Sequence, residues 1–278
     1  MSKDRTYRVF AETVCRCEEE IDLARASLLI AQGEYPQLVI EDYLDRLDQM
    51  AAEVNIRITG KRRPMEIIQS INRYLFDECG FYGNAQNYYD PKNSFLNDVL
   101  ERKTGIPITL STVYMEIGKR IGFPIKGVGM PGHFIVKYED ETGAILIDPF
   151  HKGAILLEED CQNRLDEIYK GVVRFHPGLL PTFTKRQIIA RMLANLKGIY
   201  LNTGDFNRAI SVIDRILIVN PDTASEYRDR GLLHLNQGRE AKALMDFERY
   251  LKLAPGAEDF EAISKRVIAL KRKQAMLN

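Results

Sequence analysis

The sequence predicts an α+β domain with a small antiparallel sheet, followed by an all-α stack of helices. Two observations carry this. Apolar residues recur at helical spacing over much of residues 7–121, and short strand-like runs follow in a separate block between residues 125 and 147. Helices and strands in separate blocks argue for α+β rather than alternating βαβ units. Beyond about Thr184 the pattern is helical again, and it repeats itself. A chain of 278 residues accommodates two modest domains, expected at residues 1–175 and 184–278.

Taken in order, residues 7–54 hold two or three helices, with Val9, Phe10 and Val14 on one face and Leu38, Tyr43, Leu44, Leu47 and Met50 on another. Gly33-Glu34-Tyr35-Pro36 separates them, because glycine tolerates a positive φ and the residue before proline avoids the helical region. Pro64 suits the first turn of the next helix, Ile67, Ile68, Ile71 and Leu75 form its face, and Gly80 is a C-terminal cap. Residues 81–90, FYGNAQNYYD, form an aromatic and amide-rich loop. It packs its rings beneath itself or forms a lip over a cleft, with Tyr82 and Tyr88 as lining candidates. Asn93-Ser94 then opens a short helix carrying Phe95, Leu96, Val99 and Leu100, which Gly105 ends.

After Pro107 helical spacing places Leu110, Val113, Tyr114, Ile117 and Ile121 inward, with Lys119 and Arg120 near the C-terminal end, where cations are favoured. Gly122-Phe123-Pro124 stops this helix. Strands are expected over about 125–128, 133–138 and 144–147, the last two joined through Glu139-Asp140-Glu141-Thr142-Gly143. A charged helix to about Tyr169 follows. Residues 175–181, with two prolines and a glycine, form the expected linker.

The C-terminal region matches itself at a 34-residue offset: Asn202 with Asn236, Gly204 with Gly238, Ala209 with Ala243, Leu217 with Leu251 and Pro221 with Pro255. A glycine between two helices, a small alanine where they cross and a proline after the second at this period are the tetratricopeptide signature. Each hairpin buries its apolar face only against neighbours. Residues 188–201 are expected to begin the stack and 258–273 to close it. Such arrays bind protein segments, so a protein or peptide partner is expected here; two repeats alternatively serve only to buttress the first domain.

Lys+Arg and Asp+Glu both total 39, which removes the bulk electrostatic case for nucleic acid or an anionic membrane as partner. Cys15, Cys17, Cys79 and Cys161 are irregularly spaced, and Cys15-Arg16-Cys17 lacks the gap of a redox or zinc pair. The N-terminal residues contain no apolar signal region, and no uncharged run reaches the roughly 18 residues that span a bilayer. The expectation is a reduced, cytoplasmic chain without a membrane segment.

His133 and Asp148 fall at the ends of adjacent expected strands. An imidazole oriented by a carboxylate is half of a nucleophilic triad, or a hydrogen-bonded structural pair. Hydroxyl candidates for the other half are Thr109 and Ser111, which also suit the role of helix-start caps. Glu116 either reaches a cleft or bridges cations at the surface. His151 beside Asp148 raises a His/Asp metal site, but no HxxxH or CxxC spacing supports one, and no metal or cofactor is expected.

Asn93-Ser94-Phe95-Leu96, Val99-Leu100, Gly105-Ile106-Pro107-Ile108, Gly127-Val128, Pro131-Gly132-His133-Phe134 and Asp148-Pro149-Phe150 with Gly153, joined to the repeats, resemble the bacterial SirB-type transglutaminase-like family. The resemblance spans nearly the whole chain. It implies a papain-like transglutaminase fold: a helical half, a helix with the nucleophile at its N-terminus, and a small antiparallel sheet bearing His133 and Asp148. A cleft lined by Asn93, Pro107, Tyr114 and Glu116 beside Tyr82 and Tyr88 is expected. In transglutaminases a cysteine opens that helix, where the helix N-terminus lowers a thiol's pKa and offers N–H groups to an oxyanion. The matching position here falls at or near Pro107. The resemblance therefore implies an atypical or inactive transglutaminase-like protein serving protein interaction or regulation. The alternative is a hydrolase or acyl transferase that uses Thr109 or Ser111 with His133 and Asp148 on peptide or amide substrates.

Overall fold

The computed structural model describes residues 3–60 and 62–277; the outermost residues of the expected domains, Met1, Ser2 and Asn278, lie outside them. The chain forms two compact units, Met1–Met192 and Leu193–Asn278. The first is α+β and the second helical, as the sequence predicts.

The first unit opens with α1 (Lys3–Val14), α2 (Leu23–Gln32) and α3 (Ile40–Arg57). Asp22 caps α2 by accepting from the Arg25 N–H. α4 (Pro64–Asn72) starts at Pro64 and continues as a π-helical turn over Arg73–Glu78. A two-residue parallel ladder pairs β1 (Tyr82–Gly83) with β2 (Thr104–Gly105), on either side of α5 (Leu96–Arg102). Lys103, at φ 57°, ends α5, not Gly105.

α6 (Pro107–Arg120) follows, and every residue from Pro107 to Gly118 is buried. The sequence shows one apolar face, but helices and sheet cover this element on all sides, so its polar residues must find partners inside. The sheet runs β3 (Ile125–Met130), β4 (His133–Asp140), β5 (Gly143–Asp148) and β6 (Ala154–Leu156), in that order and antiparallel throughout. β6 is absent from the sequence reading because three residues carry too little alternation to mark a strand. Val128, Met130 and Ile135 pack with Leu156, and with Cys161 and Leu165 of α7 (Glu158–Tyr169), to make one face of the sheet.

Residues 175–181 are not a free linker. They contain a short 3-10 turn (Pro177–Leu179), and the chain then docks on β3: the Gly129 N–H donates to Pro181 O, and the Phe183 N–H to Gly127 O. Prolines that exclude helix also suit an extended edge segment, which the sequence could not distinguish from a loop.

α8 (Lys185–Asn202) spans the boundary between the units. The second unit continues with α9 (Phe206–Val219), α10 (Ala224–Asn236), α11 (Glu240–Leu253) and α12 (Phe260–Leu277). The repeat positions take the expected places. Gly204 and Gly238 adopt φ 73° and 71° after α8 and α10, and Ala209 and Ala243 are wholly buried in α9 and α11. Ala243, Phe247 and Tyr250 pack with Ile263 and Val267 of α12, which closes the stack. Arg230 of α10 bridges Asp214 and Asp246, tying three helices together.

Candidate functional site

β4 begins at His133 and β5 ends at Asp148, and antiparallel pairing brings these ends together. His133 Nε2 lies 2.9 Å from Asp148 Oδ2. The imidazole is 9% exposed and the carboxylate wholly buried. Asp148 Oδ2 is also 2.9 Å from His151 Nδ1 and 2.8 Å from the Arg164 guanidinium. Oδ1 accepts from the backbone N–H groups of Phe150 and His151, because Asp148 caps the 3-10 turn Pro149–His151. Burial alone would push this carboxyl up, but hydrogen bonds from His133 and His151, with the positive charge of Arg164, hold it well below the usual range. His133 Nδ1 makes no hydrogen bond to a described residue.

The surroundings are aromatic. The Phe150 ring meets His133 edge-on at 6.0 Å and Tyr88 at 6.4 Å. Arg191 donates to the His133 carbonyl at 2.8 Å and lies over the Phe134 and Phe183 rings. Burial pushes the Tyr88 hydroxyl up and the Arg191 guanidinium down.

Of the sequence candidates, His133, Asp148 and, through Phe150, Tyr88 come together. Thr109 and Ser111 do not join the imidazole by a hydrogen bond. Thr109 Oγ1 donates to Asn93 O at 2.8 Å and accepts from the Ile106 N–H at 3.1 Å, so it ties the first turn of α6 back to its N-cap residue Ile106. Ser111 Oγ faces Phe134 O at 3.5 Å, a long contact. Pro107 is the first residue of α6 and is buried. Tyr114 is a core residue, not a lining one: its hydroxyl donates to Asn72 Oδ1 at 2.9 Å, and the Asn72 amide donates to Gly153 O. Glu116 is buried against Arg120, which also holds Asp48; it borders a separate cavity of about 620 Å³ with Met115, Phe123 and Ile188. Asn93 is wholly buried and pins the aromatic loop by donating to Asn87 O and Tyr88 O. Tyr82 is half exposed in β1.

No thiol enters the site. Cys15 and Cys17 are exposed, Cys79 is half-buried after the π-helical turn, and Cys161 is buried in the sheet-α7 core, where burial pushes its thiol up. Sequence reasoning missed Arg164 and Arg191. Neither lies in a motif, and only the fold brings them to the carboxylate and to the His133 backbone.

A buried imidazole–carboxylate pair at the ends of neighbouring strands, backed by a buried helix and followed by paired helices, defines a transglutaminase-like domain with tetratricopeptide repeats. Residues 41–194 match the transglutaminase-like superfamily, and residues 196–267 match the tetratricopeptide repeat. Over 267 residues the chain is 34% identical to a UPF0162 protein of Xylella fastidiosa, covering 92% of each. It is 26% identical to a UPF0162 protein of Vibrio cholerae, over 91% of this chain and 95% of that one. The chain thus belongs to the UPF0162 family, the SirB-type group its motifs resemble. It is also 26% identical to human F-box only protein 21, over 66% of this chain and 27% of that protein. Among the described residues no helix is long and apolar enough to cross a membrane.

Proposed function

We propose that this chain is a transglutaminase-like protein without thiol acyl-transfer chemistry, and that it acts in the cytoplasm through protein–protein interaction in a regulatory role. The tetratricopeptide helices provide the surface for a protein or peptide partner. The observation that carries this reading is the start of α6: by resemblance to transglutaminases the nucleophile's position falls at or near Pro107, the first residue of this helix, and the four cysteines lie elsewhere. Asp148 supports it, because a carboxylate engaged by two imidazoles, a guanidinium and two backbone N–H groups is held as a structural anchor as much as an orienting base. The hydroxyls that would replace a thiol are turned to backbone carbonyls.

The test is an amine-incorporation and ammonia-release assay on glutamine-containing peptides, comparing the full chain with His133→Ala. The expected outcome is equal background from both. Turnover by the wild type that His133→Ala abolishes would sink the proposal.

A further inference from the structure

His133, Asp148 and His151 offer two imidazoles and one carboxylate whose ligand atoms all lie within 4.8 Å of one another. We propose that this cluster is a binding site for one divalent first-row transition ion, held by the two imidazoles and Asp148. The site stands independently of the interaction role above.

Three features carry it. The first is spacing. Each histidine nitrogen lies 2.9 Å from the shared carboxylate oxygen. Ligand bonds of about 2.0–2.1 Å set neighbouring donors about 2.9 Å apart at right angles and about 3.3 Å apart in a tetrahedron; the two nitrogen–oxygen pairs meet the first spacing, and the nitrogen–nitrogen pair, within 4.8 Å, closes with a turn of the half-exposed His151 ring. The second is support. The other oxygen of Asp148 is fixed by the N–H groups of Phe150 and His151, the outer-shell arrangement that orients a ligating carboxylate. The third is the balance of enclosure and access. Asp148 is wholly buried and Phe150 covers one side of His133, while His151 is 48% exposed and leaves a path from solvent.

Arg164 competes for the same oxygen at 2.8 Å. Its side chain is long and 21% exposed, so it swings outward when an ion takes its place. Two imidazoles suit a borderline ion such as cobalt or zinc better than magnesium or calcium, which prefer oxygen alone. The remaining coordination positions would be open to water or a ligand.

The experiment is calorimetric titration of Co²⁺ and of Zn²⁺ into the chelator-treated full chain, for the wild type, His133→Ala, His151→Ala and His176→Ala. The expected result is saturation at one ion per chain. Each substitution in the cluster weakens affinity by at least about tenfold, and His176→Ala, at an exposed position outside the cluster, leaves it unchanged. His151→Ala guards against a misfolded His133 variant, because the His151 side chain is half-exposed; circular dichroism checks both. The visible spectrum of bound Co²⁺ supplies a second readout, weak for six-coordination and intense for four. Absence of saturable binding, or binding or a Co²⁺ spectrum that His151→Ala leaves unchanged, overturns the proposal.

Discussion

Replacing Asp148 with asparagine tests how much of the first unit hangs on one carboxylate. The wild-type oxygens receive His133, His151, Arg164 and two backbone N–H groups. Whichever way the substituted amide turns, its NH₂ faces donors, so at least one oxygen's worth of hydrogen bonding is lost together with the charge. Hydrogen bonds to a charged group contribute roughly 1.5–3 kcal/mol each, but they do not add, and the exposed sides of Arg164 and His151 are screened by water. Discounting those two leaves the His133 and backbone contacts and a loss of about 3–4 kcal/mol, within the range for breaking a buried ion pair. For a unit of this size that is a fall of about 10 °C in Tm. Thermal and urea unfolding of both full-length proteins, followed by circular dichroism, reads it.

The pH dependence has a defined sign. A carboxyl held below its usual value contributes its full stabilisation above the unfolded pKa, about 3.9, and loses it as pH falls toward the folded value. The gap between wild type and Asp148→Asn therefore narrows as the pH falls below about 4. A loss under about 1 kcal/mol at pH 7, or a gap that does not narrow below about pH 4, refutes the anchoring role of Asp148.

Two further outcomes follow from neighbouring packing. Thr109→Val removes the hydroxyl that ties the first turn of α6 to its N-cap residue and leaves Asn93 O and the Ile106 N–H without this partner; a loss of about 1–2 kcal/mol in urea unfolding is expected, with Co²⁺ binding unchanged. Gly231→Ala improves helix propensity by about 1 kcal/mol, yet the new Cβ would sit 2.6 Å from Cε1 of wholly buried Phe247. Overpacking at about 1–3 kcal/mol wins, so the helical unit melts earlier, and a stabilised variant would contradict the packing.

Local chemistry made much of this legible. Helical spacing located the N-terminal helices, turn residues located the β4–β5 hairpin, and the 34-residue match located α9 and α11 through Ala209 and Ala243. The His133–Asp148 pair was accessible for the same reason, since both residues belong to one hairpin and lie only 15 apart in the chain. What stayed hidden depends on distant segments meeting. Asn72 joins Tyr114 and Gly153, 81 residues away from it, and the parallel β1–β2 ladder requires α5 to fold back first. No periodicity encodes such contacts. His151 adjoins Asp148 in the sequence, but its contact with the carboxylate depends on the 3-10 turn Pro149–His151, which no spacing rule reads.

The segment that docks on β3 also bears on how the protein is made. As the chain leaves the ribosome, β3 to β6 can pair once Leu156 has emerged, but Gly127 and Gly129 keep unpaired edge groups until Phe183 arrives. An open edge is the part of a nascent sheet most prone to join a neighbouring chain. The growing protein stays vulnerable for some 27 residues of synthesis, a few seconds at about 5–20 residues per second. A fragment ending at 175 would remain in that state permanently.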